Sequence, residues 1–293
     1  MSRRRFLKAL GIGALFVGGG AAYSTWIEPR WVEVTRTKIP MANLPPDLRG
    51  FTIVQLSDFH HSRHVSAEYL SKCVDVANRQ QPNLIALTGD YITGASYEGE
   101  SSRDEVKADA LRIEANLHKC IEILSSLKAP SGVYATLGNH DGWYDSEKVS
   151  SAIRKSSLKL LRDESDVVTV GSARLQIVGL RDLWTETINL DRAFEGLRAE
   201  VPTIVLMHNP DLFEEVAARD ADLIMAGHTH GGQVALPFFG PLIVPSKFGR
   251  KYASGLFQTG GTRMYVNRGL GVIAPPVRFL VRPEISVFEL VNG

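Results

Sequence analysis

The chain has 293 residues, with 33 Lys and Arg against 32 Asp and Glu, a formal net charge of +1. Hydrophobic residues make up 44% and charged residues 22%, an ordinary globular composition that excludes a disordered chain and leaves room for one large domain or two small ones. No long basic stripe supports nucleic-acid binding, and the two cysteines, Cys73 and Cys120, lie far apart in segments that read as helices, as buried free thiols and not as a disulfide framework or thiolate zinc site.

Ser2-Arg3-Arg4-Arg5-Phe6-Leu7-Lys8 precedes the small, apolar, Gly-rich stretch Ala9–Tyr23. A basic head followed by a modest apolar segment is a secretory signal, and this one resembles the twin-arginine export consensus. Residues 1–30 are therefore expected to be a signal peptide or retained anchor, with the twin-arginine translocase as export partner. The expected location is the periplasm or the outer face of the cytoplasmic membrane (the cell wall in a Gram-positive host). Residues 31–293 are read as a single domain. Without Arg3, Arg4, Arg5 and Lys8 the balance is 29 basic against 32 acidic residues, a net of −3, with no general attraction to anionic lipid.

The pattern predicts a strand over Trp31–Ile39, a loop over Pro40–Arg49, and then a repeated strand, polar motif, helix. Apolar runs at Phe51–Leu56, Leu84–Leu87, Val133–Leu137, Thr203–Leu206 and Leu223–Ala226 read as buried strands. Helices are expected over Ala67–Gln80, ended by Pro82, and over Asp104–Leu127, Ser146–Ser156, Leu190–Leu197 and Asp211–Arg219. Gly94–Arg103 reads as an exposed loop. The helix after it has apolar positions at Leu111, Leu117, Ile121 and Leu124 and a charged, solvated first half. Val167–Val170 and Leu175–Val178 flank Gly171-Ser172 as a hairpin. After Gln233 the pattern is mainly β, at Gln233–Leu236, Gly255–Gln258, Met264–Val266 and Ile285–Leu290. Strand–helix alternation followed by strands favours one layered α/β domain.

A short polar motif follows each of the five buried runs: Asp58-Phe59-His60, Gly89-Asp90, Gly138-Asn139-His140-Asp141, Met207-His208 and Gly227-His228-Thr229-His230. Carboxyl ends of strands are where open α/β sheets bind ligands. Taken singly, Asp58 serves as well to cap a turn, Gly89-Asp90 as a strand-to-loop signal, and His208 as a lone histidine at a strand end. The two glycine-flanked imidazoles His228 and His230 suit a tight turn aimed at one centre. If the loops converge, the donors Asp58, His60, Asp90, Asn139, His208, His228 and His230 are too many for one ion and right for two. A pair of divalent ions about 3.5–4 Å apart is a clamp for in-line attack on phosphorus, with a bridging hydroxide as nucleophile. The mixed oxygen and imidazole set admits Mn, Fe, Zn or Co.

This ordered set resembles the calcineurin-like metallophosphoesterase superfamily from about Phe51 to Gln233. Gly249-Arg250-Lys251-Tyr252 and Arg268-Gly269-Leu270-Gly271 resemble its small, exported, often membrane-associated bacterial branch. The resemblance implies a four-layer α/β/β/α sandwich with the site at its top edge. It implies that Asp58, His60, Asp90 and His230 hold one ion, that Asp90 bridges, and that Asn139, His208 and His228 hold the other. It also implies that His140, oriented by Asp141, protonates the leaving oxygen. The expected activity is phosphodiester hydrolysis, on a lipid-linked or nucleotide diphosphate substrate. The alternatives are a phosphomonoesterase or nucleotidase, and a non-catalytic metal-binding scaffold.

Around this core, His61 and His64 read as rim histidines and His118 as solvated. Arg250, Lys251, Arg268 and Arg278 are candidates for phosphate contact, with surface or salt-bridge roles equally open. Asp182 and Trp184 follow a strand and read first as core or turn residues, with lining of the site as the other option. Leu236–Val244 reads first as a buried hairpin; the other reading is an apolar lip that contacts membrane lipid beside the site.

Overall fold

The computed structural model describes residues 18–42, 44–94 and 103–293. The basic head Ser2–Lys8, the apolar stretch up to residue 17 and most of the Gly94–Arg103 loop lie outside them. Among the described residues no helix is long and apolar enough to cross a membrane.

In chain order the strands are β1 (Glu33–Met41), β2 (Thr52–Leu56), β3 (Leu84–Thr88), β4 (Val133–Thr136), β5 (Lys159–Leu160), β6 (Glu164–Val170), β7 (Ala173–Gly179), β8 (Thr203–Leu206), β9 (Leu223–Ala226), β10 (Ala235–Leu236), β11 (Gly240–Pro241), β12 (Gly255–Thr259), β13 (Thr262–Val266) and β14 (Glu284–Asn292). The α-helices are α1 (Ala67–Arg79), α2 (Arg103–Leu124), α3 (Asn139–Arg154), α4 (Leu190–Ala193) and α5 (Phe213–Ala217). Two six-stranded sheets form, ordered β1-β14-β2-β3-β4-β5 and β12-β13-β9-β8-β7-β6. Strands β2, β3, β4 and β5 run parallel, as do β13, β9, β8 and β7, while β14 lies antiparallel to β2 and parallel to β1.

Three apolar layers hold the sheets in an α/β/β/α sandwich. Alternate residues of each strand face opposite sides. Val54, Leu56, Ile85 and Leu87 pack outward against Leu70, Val74, Leu117 and Ile121 of α1 and α2. Ile53, Leu84 and Ala86 face inward and meet Ile177, Ile204 and Leu206 of the second sheet. Val178, Val205 and Ile224 take the outer face of that sheet, covered by Ala193, Phe213 and Val216. Strands buried on both faces read as continuous apolar runs, which is why their positions were plain in the sequence.

Several boundaries differ from expectation for identifiable reasons. Helix α1 starts where expected because Ser66 Oγ accepts from Tyr69 N at 3.2 Å. Helix α2 buries Ile113, Leu117, Cys120, Ile121 and Leu124, one stripe in phase, whereas Leu111 is off that stripe and 60% exposed. Helix α3 starts at Asn139, seven residues earlier than the expected Ser146, and breaks at Asp145. Asp145 Oδ1 accepts from Glu147 N and Lys148 N, so it caps the second, expected part, while the extra first turn carries the site motif. The expected helix over Leu190–Leu197 is only the four residues of α4, and Asp211–Arg219 is a 3-10 turn (Pro210–Leu212) joined to α5. Cys73 and Cys120 are buried and free, and burial pushes the Cys73 thiol up to about 12, which leaves it protonated and inert.

Candidate metal centre

The five motifs meet at one edge of the sandwich, each directly after its strand: β2 for Asp58 and His60, β3 for Asp90, β4 for Asn139, β8 for His208, β9 for His228 and His230. Adjacent strand ends are tied together by the backbone: Asp58 N donates to Gly89 O at 3.0 Å, His60 N to Asp90 O at 3.0 Å and Gly227 N to His208 O at 2.9 Å. All seven donor side chains are buried.

Five of the seven lie in the left-handed backbone region: Asp58 (φ 52°), His60 (φ 47°), Asp90 (φ 57°), His228 (φ 72°) and His230 (φ 52°). An L-residue there costs roughly 1–2 kcal/mol, and such residues cluster at functional sites. Gly138 and Gly227 allow the loops to close. A Cβ on Gly138 would run into the Asp90 carboxylate, and one on Gly227 into Ser57 Oγ and the Asp58 carboxylate.

Two donor groups share Asp90. In the first, one ligand atom from each of Asp58, His60, Asp90 and His230 falls within 4.8 Å of the others. His60 Nε2 lies 3.0 Å from His230 Nε2 and 3.4 Å from Asp90 Oδ2, and His230 Nε2 lies 3.3 Å from Asp58 Oδ1. In the second, Asn139 Oδ1 lies 3.1 Å from His208 Nε2 and 2.7 Å from His228 Nδ1, and His208 Nε2 lies 3.2 Å from Asp90 Oδ2. One Asp90 oxygen, Oδ2, thus belongs to both groups, while Oδ1 accepts from His140 N at 2.8 Å.

The chemistry of this donor set fits divalent cations. Burial pushes His60 and His228 down to about 3 and His230 well below its ordinary value, so all three are neutral imidazoles at neutral pH. Neutral imidazole is the metal-ligating form. Burial raises Asp58 to about 6. Burial alone would also raise Asp90 and lower His208, but each is outweighed by the other's charge: Asp90 is held low and His208 high as an ion pair. His208 Nδ1 donates to Thr88 O at 2.6 Å, which turns Nε2 toward the centre. His228 Nε2 and His230 Nδ1 are buried without a protein partner.

Asp141 does not do what the sequence suggested. Its Oδ1 accepts from Tyr91 N at 2.9 Å, and its Oδ2 accepts from Asp90 N and Gly138 N, both at 2.9 Å. Three backbone donors engage the carboxylate, and no hydrogen bond joins it to the His140 ring, whose Nδ1 is buried without a partner. Asp141 instead clamps the β3 and β4 loops, and burial followed by the Asp90 charge pushes it up to about 8. His140 is positioned by packing: its ring lies edge-on to His60 at 4.7 Å and to Trp143 at 4.7 Å. Asp141→Ala would leave three buried N–H groups unpaired and is expected to lower stability by about 3–5 kcal/mol, read as a fall in Tm of the metal-free chain. An unchanged Tm with reduced kcat would return Asp141 to a role in the chemistry.

The surrounding residues sort differently from expectation. His61 is buried, with Nδ1 donating to Asn116 O at 2.8 Å, and is not on the rim; His64 and His118 are exposed. Arg278 is fully buried and donates to the carbonyls of Arg268, Gly269, Gly271 and Val281. It stiffens the loop whose Leu270 N and Gly271 N bind Ser57 O and Asp58 O at 2.9 and 2.7 Å. Buried and committed to carbonyls, Arg278 braces the loop beside Asp58 and presents no free guanidinium surface to a phosphate. Arg268 pairs with Glu284 and Glu33, Lys251 with Glu214, and Arg250 donates to Phe239 O. Asp182 is a turn carboxylate accepting from Trp184 N and Thr185 N. Trp184 does line the site, edge-on to His228 at 4.3 Å and tilted against Trp143 at 6.1 Å, with about half of each indole exposed.

A shared-carboxylate donor pair at the strand ends of a four-layer sandwich defines a metal-dependent phosphoester hydrolase, and comparison with known proteins agrees. The calcineurin-like phosphoesterase family model matches residues 51–232. The metallophosphoesterase YkuE of Bacillus subtilis is 35% identical over 297 residues, covering 99% of this chain and 98% of its own. The phosphodiesterase YaeI of Escherichia coli is 30% identical over 294 residues, covering 99% and 100%. The UDP-2,3-diacylglucosamine pyrophosphatase LpxG of Chlamydia muridarum is 27% identical over 325 residues, covering 90% and 92%. The chain belongs to the calcineurin-like metallophosphoesterase family, whose members use divalent metals.

Proposed function

We propose that the protein is a phosphodiesterase working with two divalent ions, one held by Asp58, His60, Asp90 and His230 and the other by Asn139, His208, His228 and Asp90. The observation that carries this reading is the position of Asp90 Oδ2, 3.4 Å from His60 Nε2 and 3.2 Å from His208 Nε2, common to both donor groups. When bound, the ions would polarise the phosphoryl oxygens and lower the pKa of water to supply the nucleophile.

The chain's own residues do the rest. Asn139 contributes a neutral oxygen and limits the negative charge around the pair. Burial keeps His60, His228 and His230 free of competing protons. His140 stands at the edge of the first group, its ring 4.7 Å from that of His60, and delivers a proton to the departing alkoxide. Trp143 and Trp184 wall one side of the centre and give a flat surface for the leaving or retained group.

The relatives named phosphodiesterase and pyrophosphatase favour a diester or diphosphate over a monoester. Hydrolysis of bis-(p-nitrophenyl) phosphate with Mn, Fe, Zn or Co is expected to exceed that of p-nitrophenyl phosphate by at least tenfold in kcat/KM. A preference of that size for the monoester would overturn the diesterase reading. We also propose that the enzyme works outside the cytoplasmic membrane, supported by Ser2–Lys8 and the apolar stretch after it. Retention of the full-length chain in the cytoplasm of a translocase-deficient host, against export in its parent, is the expected fractionation result.

A further inference from the structure

An apolar pocket of about 330 Å³ opens directly beside His230. Its walls are Val234, Leu242, Ile243, Ile273, Pro275 and Val277, and His230 and Thr229 close the end toward the metal centre. The polar side chains beside His230 are spent: Gln233 Nε2 donates to the carbonyls of Ile273 and Pro275, its Oε1 accepts from Ile273 N at 2.7 Å, and Thr229 Oγ1 donates to Ala253 O at 2.6 Å. The pocket therefore offers a ligand contact area and almost no hydrogen bonds.

The outer wall continues into the hairpin of β10 and β11, which is a hairpin as the sequence suggested but not a buried one. Phe238 and Phe239 at its tip are 106% and 72% exposed, and Ile243 is 79% exposed. Phe238 is held at φ 68°, a conformation that bulky residues rarely adopt. Arg250 Nη1 donates to Phe239 O at 2.8 Å and fixes the tip. A rigid turn that displays two phenylalanines to solvent is the pattern of a surface that meets an apolar phase.

The same face receives the N-terminal segment. Arg278 N donates to Ser24 O at 2.8 Å, Tyr23 packs edge-on against Phe279 at 6.5 Å, and Ala235 N donates to Phe279 O at 2.9 Å. The helical turn Tyr23–Ile27, into which the apolar N-terminal sequence leads, is thus joined through one loop to the base of the hairpin. Trp26 and Ile27 are exposed there as well.

We infer that this pocket seats an alkyl chain of a membrane-borne phosphoester, with Phe238 and Phe239 dipping into the bilayer and the phosphorus resting at the metal centre. The inference rests on the phosphodiesterase reading and specifies its substrate class. His230 is at once a candidate metal ligand and the pocket's inner end, so a chain there leads its ester oxygen to the centre without a polar detour. Trp143 and Trp184 lie against His140 and His228, leaving that side for the headgroup.

The test is a chain-length series of alkyl p-nitrophenyl phosphates, methyl to octyl, below their micellar concentrations, with the metal-loaded full chain. KM is expected to fall at least tenfold from methyl to octyl. In the double variant Leu242→Ser, Ile243→Ser, whose parent side chains are exposed enough for the fold to survive, that dependence is expected to collapse to less than threefold. A second arm places a dioleoyl phosphodiester in neutral vesicles. Phe238→Asp with Phe239→Asp is expected to abolish turnover of the vesicle-borne ester while the octyl ester keeps its rate. Equal KM for methyl and octyl esters in the parent would overturn the pocket assignment. Undiminished vesicle turnover by the Phe pair variant would overturn the bilayer contact. Failure of the parent on every diester with every metal would instead strike the phosphodiesterase reading itself.

Discussion

Asp90→Asn is expected to cost at least roughly 10³-fold in kcat/KM on a phosphodiester, together with loss of most bound metal. The magnitude follows from what one oxygen does. Asp90 Oδ2 lies within 3.4 Å of ligand nitrogens in both donor groups, and Oδ1 also fixes His140 through its backbone N–H. Replacing a carboxylate by an amide removes a charge from both proposed ions at once and takes away the anionic oxygen beside His60 Nε2 and His208 Nε2. Effects on residues that act as a unit do not add, so Asp90→Asn combined with His208→Ala should be little worse than Asp90→Asn alone. Metal analysis by mass spectrometry beside turnover gives the check. Full metal content with normal turnover would remove Asp90 from the centre.

His140→Ala should separate metal binding from chemistry. Metal content is expected to stay at the parent level, because the His140 ring is not within either donor group. Turnover on alkyl leaving groups is expected to fall by about 10²–10⁴-fold, the usual range for a general acid, and by much less on nitrophenyl esters, whose anions leave unaided. Equal losses on both kinds of ester would make the residue a mere packing neighbour of His60. The sign of the pH effect follows from the role. Burial lowers the His140 pKa, and the donor must be protonated. The rate on alkyl esters should therefore decline as pH rises through the His140 pKa, and that limb should be missing in His140→Ala.

What the sequence revealed depended on how strictly each feature is coded. Strands such as Leu84–Thr88, buried on both faces, leave an uninterrupted apolar run, and the donors at their ends were legible because site chemistry needs those residue types there. The order of Asp58, Asp90, Asn139, His208 and His228 along the chain then carried the fold. Backbone geometry was not legible: Asp58 and His228 look like any Asp and His, and only coordinates place them at φ 52° and 72°. Asp141 departs from expectation because the partnership with His140 was implied by the family resemblance alone, whereas the first turn of α3 points its carboxylate at the N–H groups of the neighbouring loop. Arg278 misled for a different reason. A charge reads as surface, but a guanidinium can be buried whole when enough carbonyls meet it. The Leu236–Val244 run read as buried because hydrophobicity says what a segment avoids, not whether anything in its own chain covers it.

The place of β14 has a consequence for how the protein comes into being. Glu284–Asn292 lies between β1 and β2, pairing Ile39 with Leu290 on one side and Ile53 with Phe288 on the other. A ribosome emitting this chain releases β1, β2, β3 and β4 long before the strand that joins the first two. Until then the inner apolar face lacks Phe288 and Leu290, and β1 has no neighbour in its sheet. The first sheet therefore closes only after synthesis is nearly complete. A chain stopped before residue 284 should not be a slightly shorter enzyme but a sticky, protease-sensitive intermediate, however intact its metal-binding motifs.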